Sequence, residues 1–237
     1  MYYVCKPSKV SIYVNSARKS MAQIKKELGC DIIINGGLFD GAFRPCCWLK
    51  VDGKILHTEA WHRPGYGWDN NVLVYDRSEN IAKYRNYIQC VELPSNLNEK
   101  PSYPAEIGGR RGRSAIGVRQ DGQVVVWCTS DGAYALTPEN LQAEMRNLGC
   151  ASALMLDGGG SCQCIMPNGQ ITSSRIVQNF ICIWIAKEVT QPPQNTQTPA
   201  QIPTPAPVCT DGTKTECRYR PPCGYCAKHY KKCPLVE

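Results

Sequence analysis

Asp157 closes a short apolar run, Ala153-Leu-Met-Leu, and is followed by Gly158, Gly159, Gly160 and Ser161. Apolar residues running into consecutive glycines predict a buried strand that stops at a tight turn, where a ligand can approach the backbone closely. A carboxylate at that point, with backbone N–H groups and a hydroxyl just beyond it, suits general-base, nucleophilic or oxyanion work. The glycine amides and the Ser161 hydroxyl beyond it suit an anion. The same residues also suit a structural Asp bonded to its own turn. Two arginines stand out by their placement: Arg113 enters an apolar stretch, Ser114-Ala-Ile-Gly-Val118, and Arg175 lies on the approach to residues 180–185. A guanidinium pairs bidentately with phosphate or carboxylate. Arg110 and Arg111, set between glycines, read instead as a solvated loop. Asp131, before Gly132, is a candidate second carboxylate.

The Asp157 turn has a counterpart earlier in the chain. Leu28-Gly29-Cys30 precedes Ile32-Ile33-Ile34-Asn35-Gly36-Gly37, as Leu148-Gly149-Cys150 precedes Leu154-Met155-Leu156-Asp157-Gly158-Gly159. Upstream, Met21, Ile24 and Leu28, and likewise Leu141, Met145 and Leu148, recur at helical spacing. Each unit therefore predicts a helix, a glycine stop, a buried strand and a polar glycine turn. An internal repeat of this kind would bring two strand ends to one site, with Asn35 and Asp157 facing it and Gly36 and Gly37 beside them.

The remaining elements serve to hold these turns. Residues 1–18 alternate as an entry strand. Asp52-Gly53, Asp121-Gly122 and Asn168-Gly169 each mark a hairpin turn. Thr137 followed by Pro138 marks a helix start, and residues 180–185 form an apolar closing strand. Strands are expected at residues 71–75 and 84–93. Between residues 59 and 71, Trp61, His62, Tyr66 and Trp68 sit among Pro and Gly, and such aromatics either stack on a ligand ring or plug the end of a sheet. The fold class expected is mixed α/β, of the α+β kind: a β-rich core with packed helices and a pseudo-repeat.

Composition bounds the rest. At 237 residues, with 43% hydrophobic and 20% charged residues, the chain can bury a full core. No apolar run approaches the roughly 18 residues of a membrane-spanning helix. The sequence as given opens with no signal peptide, so the default location is cytoplasmic. The net charge of +7 favours anionic ligands in general. From residue 191 to 208 Pro, Gln, Thr and Ala take over, which predicts a linker. The domains expected are therefore residues 1–190, the linker, and a Cys-rich module at 209–237. In that module Cys223, Cys226, His229 and Cys233 have zinc-like spacing, and a disulfide framework is the alternative. Reduced thiols are the default without export, although 15 cysteines is a large number.

Asn35-Gly36-Gly37-Leu38-Phe39, Arg113-Ser-Ala-Ile-Gly-Val118, Asp131-Gly132, Leu148-Gly149-Cys150 and the Ala153–Ser161 run occur in that order. Together they resemble the phosphodiester glycosidase family, over roughly residues 10–187. Departures from the family pattern are Leu38 in place of an aromatic, Ser114 in place of Thr, and Cys162 after Ser161. The resemblance implies a hydrolase that cleaves a sugar-1-phosphodiester to free sugar and a phosphomonoester, with no cofactor for catalysis. It implies Asp157 as the catalytic carboxylate, Arg113 as the phosphate clamp assisted by Arg175, and Asn35 holding a sugar hydroxyl or phosphate oxygen. Ser161 and the Gly158, Gly159 and Gly160 amides would hold the anion, and Asp131 would support them. A non-catalytic binder of phosphorylated sugars or nucleotides is the alternative. A wall-directed module is another, with the tail docking a surface polymer or protein. Nucleic acid is not the expected partner, although basic residues surround aromatics in the tail.

Overall fold

The computed structural model describes residues 1–58, 64–78 and 80–186, all within one unit, Met1–Glu188. In chain order the elements are β1 (Tyr2–Cys5), β2 (Pro7–Val14), α1 (Met21–Leu28), β3 (Ile32–Asn35), β4 (Leu49–Val51), β5 (Lys54–His57), β6 (Gly65–Trp68), β7 (Val74–Asp76), β8 (Asn86–Gln89) and β9 (Val91–Glu92). They continue with β10 (Arg113–Arg119), β11 (Val124–Thr129), α2 (Pro138–Asn147), β12 (Cys150–Met155), β13 (Cys164–Met166), β14 (Gly169–Ile171) and β15 (Asn179–Ile185). Three five-stranded sheets result, in the orders β1-β11-β10-β12-β9, β14-β13-β3-β15-β2 and β5-β4-β8-β6-β7. Every described pairing is antiparallel, so the α+β form of the expected class applies.

Side-chain alternation fixes the layers. In β3, Ile32 and Ile34 enter a core shared by all three sheets, while Ile33 turns the other way to meet Met21 and Ile24 of α1. In β12, Leu154 joins the shared core, while Ala153 and Met155 face Leu141 and Met145 of α2. Each central strand thus has one face in the common core and the other under its own helix, which is why both read as continuous apolar runs. Fully burying one such side chain is worth about 1.5–3 kcal/mol, so a register slip in either strand would be heavily opposed.

Helix starts follow local chemistry. The Ser20 hydroxyl accepts from the Gln23 N–H while the Gln23 side chain accepts from the Ser20 N–H, a reciprocal capping box. Thr137 accepts from the Asn140 N–H, with Pro138 at the first helical position. Gly29 and Gly149 take positive φ, +62° and +80°, and turn the chain from each helix into its strand.

The choice left open for the aromatics is decided, and two strand expectations need correction. Tyr66 and Trp68 are buried strand residues of β6, with Trp68 Nε1 donating to the Val10 carbonyl, so they fill the sheet core and present no stacking surface. Trp61 and His62 lie outside the described residues. The strand expected at 71–75 begins only at Val74, because Asn71 takes φ 64°. The strand expected across 84–93 is divided into β8 and β9, which belong to different sheets.

Candidate active site

The two repeated units end against one another. The Asp157 N–H donates to the Gly36 carbonyl at 3.0 Å, and Asn35 Nδ2 donates to the Asp157 carbonyl at 2.8 Å. Asn35 is wholly buried, and its Oδ1 accepts from Ser114 Oγ at 2.6 Å and from the Gln163 N–H at 3.2 Å. One amide therefore ties the ends of β3, β10 and β12 to the segment leading into β13. Its donor and acceptor atoms are spent on protein groups, which makes Asn35 a positioning residue. Asn35→Ala would leave Ser114, the Gln163 amide and the Asp157 carbonyl short of a partner. A loss of about 2–4 kcal/mol in urea unfolding is expected.

Gly36 and Gly37 are consumed in the same way. Their N–H groups donate to the Asn179 backbone carbonyl, at 2.8 Å, and to Asn179 Oδ1, at 3.0 Å. A Cβ on Gly36 would stand 1.8 Å from Asn179 Oδ1. Gly36→Ala is expected to destabilise the fold by about 3 kcal/mol or more, read by thermal unfolding.

Arg113 lies at the centre of a second support. It is 1% exposed. Nε donates to the Leu136 carbonyl at 2.9 Å, Nη1 to the Ile107 carbonyl at 2.9 Å, and Nη2 to the Gly109 carbonyl at 2.6 Å. It makes no ion pair among the described residues. The guanidinium gathers the loops that carry Gly112. The Gly112 N–H donates to Asp131 Oδ1, and the Gly112 carbonyl accepts from the Gly159 N–H at 2.9 Å. Asp131, itself exposed, thus supports the glycine turn through Gly112.

The groups that remain open are around Asp157. Its carboxylate is half-buried and accepts from the Gly158 N–H at 2.9 Å and from the Ser161 hydroxyl. Burial raises its pKa above the ordinary value of 3.8, and the Ser161 and Gly158 hydrogen bonds and the charge of Arg175 pull it partly back. Arg175 is exposed, and its Nη1 donates to Ser161 Oγ at 3.3 Å. Its guanidinium lies against Gly160, where an added Cβ would stand 3.4–3.5 Å from it. Ser173 fixes this arrangement by donating to the Gly160 carbonyl and accepting from the Arg175 N–H, while Gln163 Nε2 donates to the Arg175 carbonyl. Gly160 is exposed in the first turn of a short 3-10 helix, Gly159–Ser161, where backbone N–H groups have no partner within the helix. An ionisable carboxylate, a shared hydroxyl, an accessible guanidinium and an open amide therefore meet at one turn, an arrangement able to hold an anion beside a carboxylate.

A family model for phosphodiester glycosidases matches residues 28–184, which contain every one of these groups. The chain belongs to the phosphodiester glycosidase family. No curated protein matches it significantly. Among solved structures it resembles the catalytic domain of zebrafish N-acetylglucosamine-1-phosphodiester alpha-N-acetylglucosaminidase, auto-inhibited by its pro-peptide. The TM-score is 0.60 at 16% identity, over 75% of this chain and 73% of that one. It also resembles a hypothetical protein from Synechocystis, with TM-score 0.60 at 11% identity, over 75% of this chain and 57% of that one. At these identities the likeness is one of fold.

The expected site residues of this family member fall into two groups. Asp157, Gly160 and Arg175 form the open face, and the buried Ser161 links Asp157 to Arg175. Asn35, Gly36, Gly37, Arg113, Asp131, Gly158 and Gly159 form the frame behind it. Cys223, Cys226, His229 and Cys233 lie outside the described residues. Sequence reading missed Asn179, Gln163 and Ser173. Asn179 had a signal, since it is a polar residue opening an apolar closing strand, much as Asn35 and Asp157 close theirs.

Proposed function

We propose that the chain hydrolyses the glycosidic bond of a sugar-1-phosphodiester, releasing free sugar and a phosphomonoester. The observation that carries this reading is the pairing of Asp157 with Arg175 through Ser161 at an open glycine turn. A phosphodiester bound there would place its anionic group against Arg175 and the Gly160 N–H. Its anomeric carbon would face Asp157. When the C1–O bond breaks, the phosphomonoester departs with the bonding electron pair and needs no strong general acid, so the guanidinium and amide stabilise the leaving charge. Asp157 stabilises the oxocarbenium-like centre or takes a proton from the attacking water, whose oxygen ends on C1. Family membership supports the reaction class.

Because Asp157 must be ionised and its pKa is raised, the rate should rise with pH through a midpoint above 3.8 and then level off. Incubating the full chain with a panel of sugar-1-phosphodiesters, nucleoside diphosphate sugars included, tests the proposal. Release of reducing sugar from at least one member is expected. Tight binding to a member that is recovered unchanged would identify a binder instead.

A further inference from the structure

Seven of the described cysteines fall into three contact groups inside the domain. Cys47 and Cys90 are the plainest case. β4 and β8 pair Lys50 with Tyr87 and Leu49 with Ile88, and the Gln89 N–H donates to the Trp48 carbonyl. Continuing that register sets Cys47 directly opposite Cys90, and their side chains are in hydrogen-bond contact. Directly opposed residues of antiparallel strands have Cβ atoms about 4.5–5.5 Å apart, close to what a disulfide requires. Cys30, which follows α1, contacts Cys182 of β15 in the core beneath that helix. Cys128 of β11 contacts both Cys162 and Cys164 in the shared core.

Two of these groups lie beside the catalytic carboxylate. Cys162 Sγ is 3.9 Å from the Asp157 carbonyl, and the Asp157 charge acts on Cys90. Simple packing explains Cys5 and Cys150, buried thiols pushed up to about 11 chiefly by desolvation. It does not explain thiols gathered in sets. In each set one member, Cys30, Cys90 or Cys164, is held below the ordinary thiol range, chiefly through its hydrogen bond with the neighbouring thiol.

We propose that these are three disulfide-forming sites, Cys30 with Cys182, Cys47 with Cys90, and Cys128 with Cys162 or Cys164, which close while the domain folds, before the thiols are buried, with a low-molecular-weight disulfide as oxidant. One thiolate attacks the oxidant and expels a thiolate from it. The partner thiol then displaces the second half, so each bridge loses two protons and two electrons to the oxidant, which leaves as two thiols. Closing the second and third bridges ties down the segment that leads into β9, which pairs with β12, and the segment that follows the glycine turn. Oxidation thereby stiffens the frame that holds the glycine turn.

The full chain, reduced and unfolded, is refolded in the presence of reduced and oxidised glutathione, quenched in acid, alkylated under denaturing conditions and digested, and its linked peptides are identified by mass. Linked pairs at the three stated positions are expected, each two hydrogens lighter than the reduced pair and each opened by dithiothreitol. Cys90→Ser should free Cys47 for alkylation and leave the other two bridges in place. Alkyl groups on all seven thiols after oxidation would overturn the proposal. So would links distributed without preference for these positions.

Discussion

Asp157→Asn is expected to lower sugar release by about 10²–10⁴-fold in kcat while the chain stays folded. Asn keeps the side-chain oxygen that accepts the Gly158 N–H, so the turn retains its local bond. What is lost is the charge facing the reacting centre. Stability provides an independent check. Burial raises the Asp157 pKa, so the folded state holds its proton to a higher pH than the unfolded chain does. Its contribution to stability is therefore fully present below the unfolded value and declines as pH rises through the raised folded value. Asn stays neutral throughout. In paired thermal melts the variant should match wild type in acid and become the more stable of the two toward neutral pH. A variant that unfolds at every pH would mean that the carboxylate is a structural member of its turn.

Arg175→Ala is expected to reduce kcat/KM by about 10²–10³-fold, with Arg175→Lys recovering only part of it. The guanidinium lies over Gly160 and reaches Ser161, a planar placement that an ammonium point charge does not reproduce. Arg175 is exposed, so its removal should leave the unfolding midpoint almost unchanged. Arg113 should behave in the opposite way. Its donors are bound to the Leu136, Ile107 and Gly109 carbonyls, and Arg113→Met would strand them in the interior. Loss of stability, ahead of any specific loss of phosphate affinity, is the expected outcome for Arg113. Comparing the two variants by steady-state kinetics beside urea unfolding separates a clamp from a frame.

The contrast between the two arginines marks where the sequence was legible. Periodicity located both repeated units, because Ile32, Ile33 and Ile34, and Ala153, Leu154 and Met155, are apolar on both faces and each run follows an amphipathic helix. Hairpins marked by Asp-Gly or Asn-Gly were equally plain. The convergence of Asn35 and Asp157 also followed from the repeat. What sequence could not supply was direction. Arg113 enters a strand and Arg175 sits in a loop, and nothing in the sequence says that the first guanidinium is bound by three carbonyls while the second is exposed. A buried guanidinium satisfied by carbonyls looks the same in sequence as an exposed one awaiting phosphate. The same limit applies to Gly36 and Gly37. Their amides looked available until Asn179, more than 140 residues away in the chain, took both. Tyr66 and Trp68 left two readings open because neighbouring glycines usually signal a loop. Here Gly65 and Gly67 make room for the Tyr87 and Tyr84 rings, so the glycines belong to the strand.

The most direct test of the central reading is hydrolysis of a sugar-1-phosphodiester in ¹⁸O-enriched water, with both products analysed by mass spectrometry. Attack at the anomeric carbon places the heavy oxygen on the released sugar and leaves the phosphomonoester unlabelled, and that is the result this account predicts. Label in the phosphate would show cleavage of the P–O bond and would contradict the assignment of Asp157 to the sugar and Arg175 to the phosphate.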